Sequence, residues 1–433
     1  MSAQTSLLDK IKHMPREYYI LSALLFLFFV SWAGCYSLLA IWLQRFFNLT
    51  GQQTGFTYAV FSVTAFCLQP FYGFIQDKLV LRRNLIFYLG VLLSCCGPYY
   101  IFVCEPLLSM NTVAGGVAVG VYMGLAYQAG IGVLESYTER FGRRAGFEYG
   151  HARMWGSLGW AATVAVTGIF INIDPHINFW MSTVAGLLFL VLLSQLKTTK
   201  YSLSTTDDHP GTGKKQNGVS VKQALGLASL PRFWALTLFV FGSSVYLVYD
   251  QQFMVYFSHM FENPEEGAEM YGYLNSVQVF LESGCTFLAP FLINRIGAKN
   301  GLILGGTIMF CRIFLSGVVE GPVALSCVKL LHGPEVPIVM ISFFKYITTR
   351  FNPALSATLY LVGYQMVTQV IGSVLAPLAG WGYDHYGFAD TYVAMSLIVL
   401  VMTILSIFLL TGKSVAEEHE INARMAGKPK ADQ

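Results

Sequence analysis

Tyr18 to Gln44 reads Y-Y-I-L-S-A-L-L-F-L-F-F-V-S-W-A-G-C-Y-S-L-L-A-I-W-L-Q and contains no charged side chain. A helix needs about 20 predominantly apolar residues to cross the hydrocarbon core of a bilayer, so this stretch is long enough to span a membrane. It is longer than the apolar region of a signal peptide, and eleven similar stretches follow it. The sequence therefore predicts a membrane helix here and not a cleaved leader.

The rest of the chain repeats this pattern. Of its 433 residues, 55% are hydrophobic and only 12% are charged, whereas about 25% of the residues of a typical soluble domain are charged. This composition excludes a water-soluble surface and predicts an all-α membrane protein with twelve transmembrane helices. The predicted spans are 18–44, 55–76, 84–104, 112–137, 147–172, 178–196, 233–257, 272–293, 301–319, 321–344, 355–381 and 390–411.

The charges outside these spans alternate in sign along the chain. The segments before span one and after spans two and four are basic, and the connections between them carry mainly acids, with Arg45 the lone cation. The positive-inside rule therefore predicts that both termini lie in the cytoplasm, which agrees with an even number of spans. The basic residues are Lys10, Lys12, Arg16, Lys78, Arg82, Arg83, Arg140, Arg143 and Arg144.

The chain divides into two halves of six spans each. The polar sequence after Leu196 has the composition of a flexible linker, which predicts a bundle at 1–196, a cytoplasmic linker at 197–222 and a second bundle at 223–433. A short motif occurs in both halves. In the first half it reads Gly73-x-x-x-Asp77-Lys78, in a loop that also contains Arg82 and Arg83, and in the second half it reads Pro290-x-x-x-Asn294-Arg295.

The duplicated motif predicts a loop that acts as a conformational latch, because an acid beside cations can pair with neighbouring helix ends. A tight turn that carries positive-inside charge would explain the cations alone. Two six-helix halves, a long central loop and this motif resemble the major facilitator superfamily. That resemblance implies a substrate site between the halves near the membrane midplane, and transport by rocking of the halves.

Several ionisable side chains lie inside the apolar spans, where each charge costs about 2.5 kcal/mol or more. In the run Val328–Ser342, V-K-L-L-H-G-P-E-V-P-I-V-M-I-S, three of them lie within ~9 Å on one side of a helix. Four acids against three bases leave one carboxyl uncompensated, and it should hold a proton because a low dielectric disfavours the charged form. The acids are Glu135, Asp250, Glu282 and Glu335, and the bases are Arg153, Arg312 and Lys329.

Glu335 is the best candidate for the surplus carboxyl, since apolar residues follow it directly. Static ion pairing is the alternative explanation for buried charges, and we assign it to Asp250 and Lys329. Gly333 and Pro334 precede Glu335, and the proline predicts a kink in span ten.

A closer resemblance is carried by five runs that are spread over nearly the whole chain: Gly150-His-Ala-Arg153-Met-Trp-Gly-Ser-Leu-Gly-Trp160, Tyr249-Asp-Gln-Gln-Phe253, Ile293-Asn-Arg-Ile-Gly-Ala-Lys-Asn300, Lys329-Leu-Leu-His332 with Glu335-Val-Pro337, and Phe344-Lys-Tyr-Ile347. These runs resemble the oligosaccharide:proton symporters. The resemblance implies symport of a disaccharide or small oligosaccharide, of the sucrose or galactoside class, across a bacterial cytoplasmic (inner) membrane.

The resemblance also assigns roles to residues. It implies that Glu135 and Arg153 bind the sugar and that a sugar ring stacks on Trp160. It also implies that a separate group of residues, given at the end of this paragraph, couples transport to a proton. Gln128 and Asn275 are further pocket candidates. Taken together, the candidate substrate-binding residues are Glu135, Arg153, Trp160, His332, Gln369, Glu282, Gln128 and Asn275, and the candidate proton-coupling residues are Glu335, His332, Arg312, Tyr246 and Glu282.

Glu282 departs from the pattern of the family's lactose-carrying members, which have the acid at the position of Val279, one turn earlier. The chain has no P-loop and no His-Glu-x-x-His motif, so ATP-driven transport and catalysis are not predicted. A passive sugar facilitator is the main alternative, and a proton-coupled drug antiporter is a weaker one. No cofactor other than the coupling proton, no metal and no nucleic acid is predicted, and we expect a monomer within the lipid bilayer.

Overall fold

The computed structural model describes residues 14–79, 83–145, 147, 149–196, 230–351 and 359–412. Helices make up nearly all of these residues. In chain order they are α1 Arg16–Tyr36, α2 Leu39–Phe47, α3 Gly51–Leu79, α4 Asn84–Ser94, α5 Cys96–Tyr99, α6 Glu105–Met110, α7 Thr112–Met123, α8 Ala129–Ala145, α9 Tyr149–Ile173, α10 Pro175–Gln195, α11 Pro231–Ser243, α12 Val245–Ser258, α13 Pro264–Ile296, α14 Ala298–Val318, α15 Pro322–Leu330, α16 His332–Arg350 and α17 Val367–Leu409.

Local sequence explains where several of these helices begin and end. Asn111 accepts from the amides of Val113 and Ala114 and so caps α7. Asp174 accepts from the amide of His176 at the start of α10, where Pro175 occupies the first helical position. These side chains satisfy backbone donors that would otherwise lack partners in the first helical turn.

The predicted twelve spans agree with the helices. Nine helices of the described residues are long and apolar enough to cross a membrane, and two bent helix pairs, Asn84–Ser94 with Cys96–Met110 and Pro264–Thr286 with Leu288–Ile296, raise this to eleven. The twelfth span arises at Gly387, where φ is 83° and ψ is 170° inside α17. Only glycine adopts such a conformation without strain, so α17 is two helices joined at this residue.

The described residues form two compact units. Unit 1 takes its residues from 1–218, 250–280 and 373–385, and unit 2 from 219–249, 281–372 and 386–433. The predicted division at 1–196 and 223–433 stays a prediction, and the predicted linker 197–222 lies outside the described residues.

In unit 1, the segments 250–280 and 373–385 are joined to the early helices by polar contacts. Asp384 accepts from the amides of Gly51 and Gln52, at 2.7 and 2.8 Å, and so caps the N-terminus of α3. Gln44 donates to Gln252 at 2.9 Å, and Gln252 donates in turn to the carbonyl of Gly51 at 3.0 Å. In unit 2, an apolar core lies between α11, α14, α16 and the start of α17, and includes Leu236, Leu302 and Phe343.

Candidate functional site

Two of the predicted sugar-binding residues form an ion pair in unit 1, between α8 and α9. Arg153 donates from Nε to Oε1 of Glu135 at 2.6 Å, and from Nη1 to the hydroxyl of Ser157 at 3.3 Å. Its guanidinium also lies 4.3 Å from the centroid of the Phe29 ring, a cation–π geometry. Each side chain of the pair is 31% exposed. The pair is therefore oriented by its neighbours and open to a solute.

Aromatic side chains of α1 connect this pair to Trp160. The Trp160 ring centroid lies 6.4 Å from Phe29, 5.7 Å from Trp32 and 6.2 Å from Tyr36. Phe29 therefore contacts both the guanidinium and Trp160, which brings the three predicted sugar-site residues of unit 1 into one cluster. The sequence analysis missed the α1 side chains, although their spacing of three and four residues places them on one helix face.

Two predicted polar residues lie at or near π-turns, which are frequent at functional sites. Gln128 ends the π-turn Gly124–Gln128, and Gln369 lies three residues after the π-turn Leu361–Met366. Gln369 is 1% exposed, and neither atom of its amide has a hydrogen-bond partner within the described part of the chain. A buried polar atom without a partner costs about 1–3 kcal/mol. This cost favours a bound polar solute or water at Gln369.

The second ion pair forms in unit 2 and was not predicted, since the sequence favours Glu335 as the carboxyl without a compensating base. Arg312 of α14 donates to both carboxylate oxygens of Glu335, from Nε at 2.6 Å and from Nη2 at 3.0 Å. Both side chains are fully buried. His332 lies beside them, with Nδ1 3.9 Å from Glu335 Oε1, and its ring centroid is 5.9 Å from that of Tyr246. The structure thus brings together four predicted proton-coupling residues.

Tyr249, which the sequence analysis did not select, lies next to this group. Its ring centroid is 4.6 Å from the guanidinium carbon of Arg312 and 5.7 Å from Nζ of Lys329. The Tyr249 hydroxyl is 2.7 Å from that of Ser316, which donates to the carbonyl of Arg312. One aromatic ring therefore stabilises two buried cations through its face.

The kink predicted from Pro334 stays a prediction, although the helix of span ten is interrupted near it. The interruption is at Leu331, between α15 and α16. Proline has no amide hydrogen to continue the helical ladder, and its ring disfavours the preceding turn. The break places Glu335 in the first turn of α16, where the helix dipole favours a carboxylate.

The remaining predicted site residues are Asn275, Glu282, Asp250 and Lys329. Asn275 is buried in unit 1 and donates to the Tyr271 hydroxyl at 3.4 Å. Glu282 is half-buried in unit 2, so its predicted roles stay predictions. The predicted ion pair of Asp250 with Lys329 also stays a prediction, because the first belongs to unit 1 and the second to unit 2.

The predicted latch loop is only partly described. Gly73 lies in α3 and faces open space, while the side chains of Asp77 and Lys78 and all of Arg82 fall outside the described parts of the chain. Arg83 donates from Nη1 to the carbonyls of Leu193, Ser194 and Leu196, at 3.1, 3.2 and 3.3 Å. Arg83 thus stabilises the C-terminal end of α10, and the latch stays a prediction.

The spans of the described residues, one buried and one partly exposed ion pair, and the aromatic cluster define a multi-pass membrane transporter. The crystal structure of the nucleoside transporter NupG has a similar fold, with a TM-score of 0.75 at 15% sequence identity, covering 92% of this chain and 100% of that chain. The family model of the LacY proton/sugar symporter matches residues 10–422. The chain therefore belongs to the LacY proton/sugar symporter family, within the major facilitator fold.

Curated relatives agree with this assignment. The chain is 39% identical to the sucrose permease of Escherichia coli over 92% of this chain and 94% of that protein. It is 36% identical to the raffinose permease of Escherichia coli, again over 92% of this chain and 94% of that protein. It is 37% identical to the melibiose permease of Enterobacter cloacae, over 92% and 93% of the two chains. The predicted fold class and family are confirmed.

Proposed function

We propose that this protein carries a disaccharide or small oligosaccharide, of the sucrose or galactoside class, together with a proton by alternating access. The observation that carries the proposal is the presence of two arginine–carboxylate pairs in different surroundings. One is 31% exposed beside an aromatic cluster, and the other is fully buried beside a histidine. The first suits a sugar and the second suits a proton.

The exposed pair has the chemistry that a sugar requires. Neighbouring hydroxyls of a pyranose can donate to the Glu135 carboxylate and accept from the forked guanidinium of Arg153, and such charge-assisted hydrogen bonds are strong. The apolar face of the same ring can pack against Trp160. Relatives named as permeases for sucrose, raffinose and melibiose support this class of substrate.

The buried pair has the chemistry that proton coupling requires. A proton on Glu335 removes the negative charge that offsets Arg312, so the pair must loosen when the proton binds. Histidine is a common proton donor and acceptor in proteins, and His332 Nδ1 lies 3.9 Å from Glu335 Oε1. A passive facilitator has no need of a buried carboxylate that changes charge. A drug antiporter has no need of the Glu135, Arg153 and Trp160 cluster.

The membrane arrangement completes the proposal. The alternating charge of the connections supports a location in the bacterial inner membrane with both termini in the cytoplasm. We propose that the protein works as a monomer, without a cofactor, and is not an enzyme, which agrees with a family of permeases.

The decisive test measures sugar entry and proton entry together. Vesicles that contain the purified protein, without a membrane potential, are given sucrose, lactose, melibiose and raffinose in turn. We expect at least one sugar to enter and to make the outside medium more alkaline. Sugar entry with no change in external pH would identify a facilitator, and no entry of any of the four sugars would reject the proposed substrate class.

A further inference from the structure

A group of polar side chains lies in unit 1 near the aromatic cluster, and of these only Asn275 was predicted as a pocket residue. Tyr58, Asn275 and Gln278 are all buried, at 1%, 8% and 4% exposure. The hydroxyl of Tyr58 and the amide oxygen of Gln278 have no hydrogen-bond partner among the residues that the structure covers. Two polar atoms that lack partners inside a membrane protein are costly, so this region is suited to bind a polar solute.

The first part of α13 runs antiparallel to α9, and the two helices are in close contact. A Cβ atom at Gly272 would lie 2.7 Å from the carbonyl of Val164, and one at Gly168 would collide with the carbonyl of Ala268. Continuing this register by one turn places Trp160 of α9 level with the middle of the segment 275–278 on α13. Asn275 and Gln278 therefore lie at the height of the ring on which a sugar is proposed to stack.

Tyr58 is linked to Trp160 through Tyr36. The Tyr36 ring centroid is 6.2 Å from that of Trp160 and 5.9 Å from that of Tyr58. On α13, Asn275 donates to the Tyr271 hydroxyl at 3.4 Å. Tyr36 therefore contacts the rings of both Trp160 and Tyr58, and Asn275 and Gln278 lie on α13 at the height of Trp160.

We propose that Tyr58, Asn275 and Gln278 form a subsite for the second ring of the sugar, the ring that does not bind Glu135 and Arg153. This inference rests on the proposed function and extends it. Gln278 offers a carbonyl acceptor, Asn275 an amide donor, and Tyr58 a hydroxyl that can do either. The three together match the alternating donors and acceptors of a ring that carries several hydroxyls.

The subsite gives the transporter a preference for two-ring sugars over single rings. The buried groups gain their hydrogen bonds only when a second ring is present, so a one-ring glycoside leaves them unsatisfied. A site that contains unsatisfied polar groups discriminates against the ligand that cannot reach them.

The experiment compares Tyr58→Phe and Gln278→Leu with wild type, using purified protein and calorimetry. The ligands are a disaccharide that the wild type binds and the methyl glycoside of the ring that occupies the Trp160 site. We expect each variant to bind the disaccharide about threefold to tenfold more weakly, the effect of one lost hydrogen bond. Binding of the methyl glycoside should stay within about twofold of wild type, because that ring lacks the contact.

Tyr100→Phe is the matched control. Its hydroxyl is also buried without a partner within the described segments, but its ring stacks on Phe179 at 4.5 Å, away from Trp160. We expect this variant to bind both ligands as wild type does. Thermal unfolding of each variant shows whether the fold is retained.

Two results would overturn the subsite. One is a folded Tyr58→Phe and a folded Gln278→Leu that bind both ligands as wild type does. The other is an equal loss of binding for the disaccharide and the glycoside. A wild-type protein that binds no sugar would overturn the proposed function as well, so the two failures are distinguishable.

Discussion

Replacing Glu335 by glutamine should separate sugar binding from proton coupling. The amide is close in shape to a protonated carboxyl, and its oxygen can still accept from Arg312, which donates at 2.6 and 3.0 Å in the wild type. The variant should therefore behave at every pH like the wild-type protein with Glu335 protonated. We expect it to bind sugar and to exchange it across the membrane, but not to accumulate it against a gradient.

The size of the effect follows from the single carboxylate in the buried pair. One proton driven by 100 mV supplies about 2.3 kcal/mol, and about 1.4 kcal/mol corresponds to a tenfold ratio. A one-proton symporter therefore accumulates its sugar roughly 50-fold at this potential. Glu335→Gln should reach a ratio of about one, with equilibrium exchange at a rate close to that of wild type.

The pH dependence of binding gives a second measurement. If the protonated form of Glu335 binds sugar, affinity is retained at low pH and falls as pH rises and the proton is lost, by up to about tenfold per pH unit. The glutamine variant has no proton to lose at this position, so its affinity should not change over the same range.

Stability and a second acid serve as controls. Removing one partner of a buried ion pair costs about 3–5 kcal/mol, so Glu335→Ala should unfold at a lower temperature than Glu335→Gln, whose amide still pairs with Arg312. Glu262→Gln, at an exposed acid between α12 and α13, should accumulate sugar as wild type does. Active accumulation by Glu335→Gln, or a variant affinity that falls with pH as the wild-type affinity does, would refute this assignment and make Glu282 the next acid to test.

Three further predictions concern binding and the contacts of unit 1. Arg153→Lys should lose about 2 kcal/mol or more of sugar-binding free energy in calorimetry, because an ammonium cannot reproduce the paired N–H donors of the guanidinium. Near-normal affinity in this variant would show that Arg153 does not belong to the sugar site. Trp160→Tyr should retain transport and Trp160→Ala should lose roughly tenfold or more in affinity, and an active alanine variant would contradict stacking. Asp384→Ala should expose the first two amides of α3, and a cap worth about 1 kcal/mol corresponds to about fivefold faster hydrogen exchange at these amides. Asp390→Ala is the control. Unchanged exchange in Asp384→Ala would show that the cap is not required.

Much of the fold could be predicted because the bilayer restricts the choices. Apolar length identified the spans, and Pro334 predicted a kink close to the break that precedes Glu335. The separation of the last two spans falls at Gly387, within the predicted gap between residues 381 and 390, and the positive φ of this glycine marks it. Sequence gives no sign of that conformation beyond the glycine itself.

The candidate site was predictable where charge singled out its residues and not where apolar packing did. Buried charges are rare in spans, so Arg153 and Arg312 could be selected from the sequence alone. Phe29 and Tyr249 could not, because a membrane helix holds many aromatic residues and only packing shows which of them contact a cation. The unsatisfied amide of Gln369 likewise becomes visible only when its neighbours are known.

The two ion pairs have the same shortest contact, 2.6 Å, but differ in exposure, and the difference determines what each can respond to. Glu135 and Arg153 are partly open to solvent, so a sugar hydroxyl can replace water around them at little cost in desolvation. Arg312 and Glu335 are fully buried, where a change of one charge is worth several kcal/mol because the surroundings do not screen it. A proton is small enough to reach such a pair, and its binding changes the charge of the pair by one unit. The exposed pair therefore suits recognition, and the buried pair suits the conversion of a proton into a change of conformation.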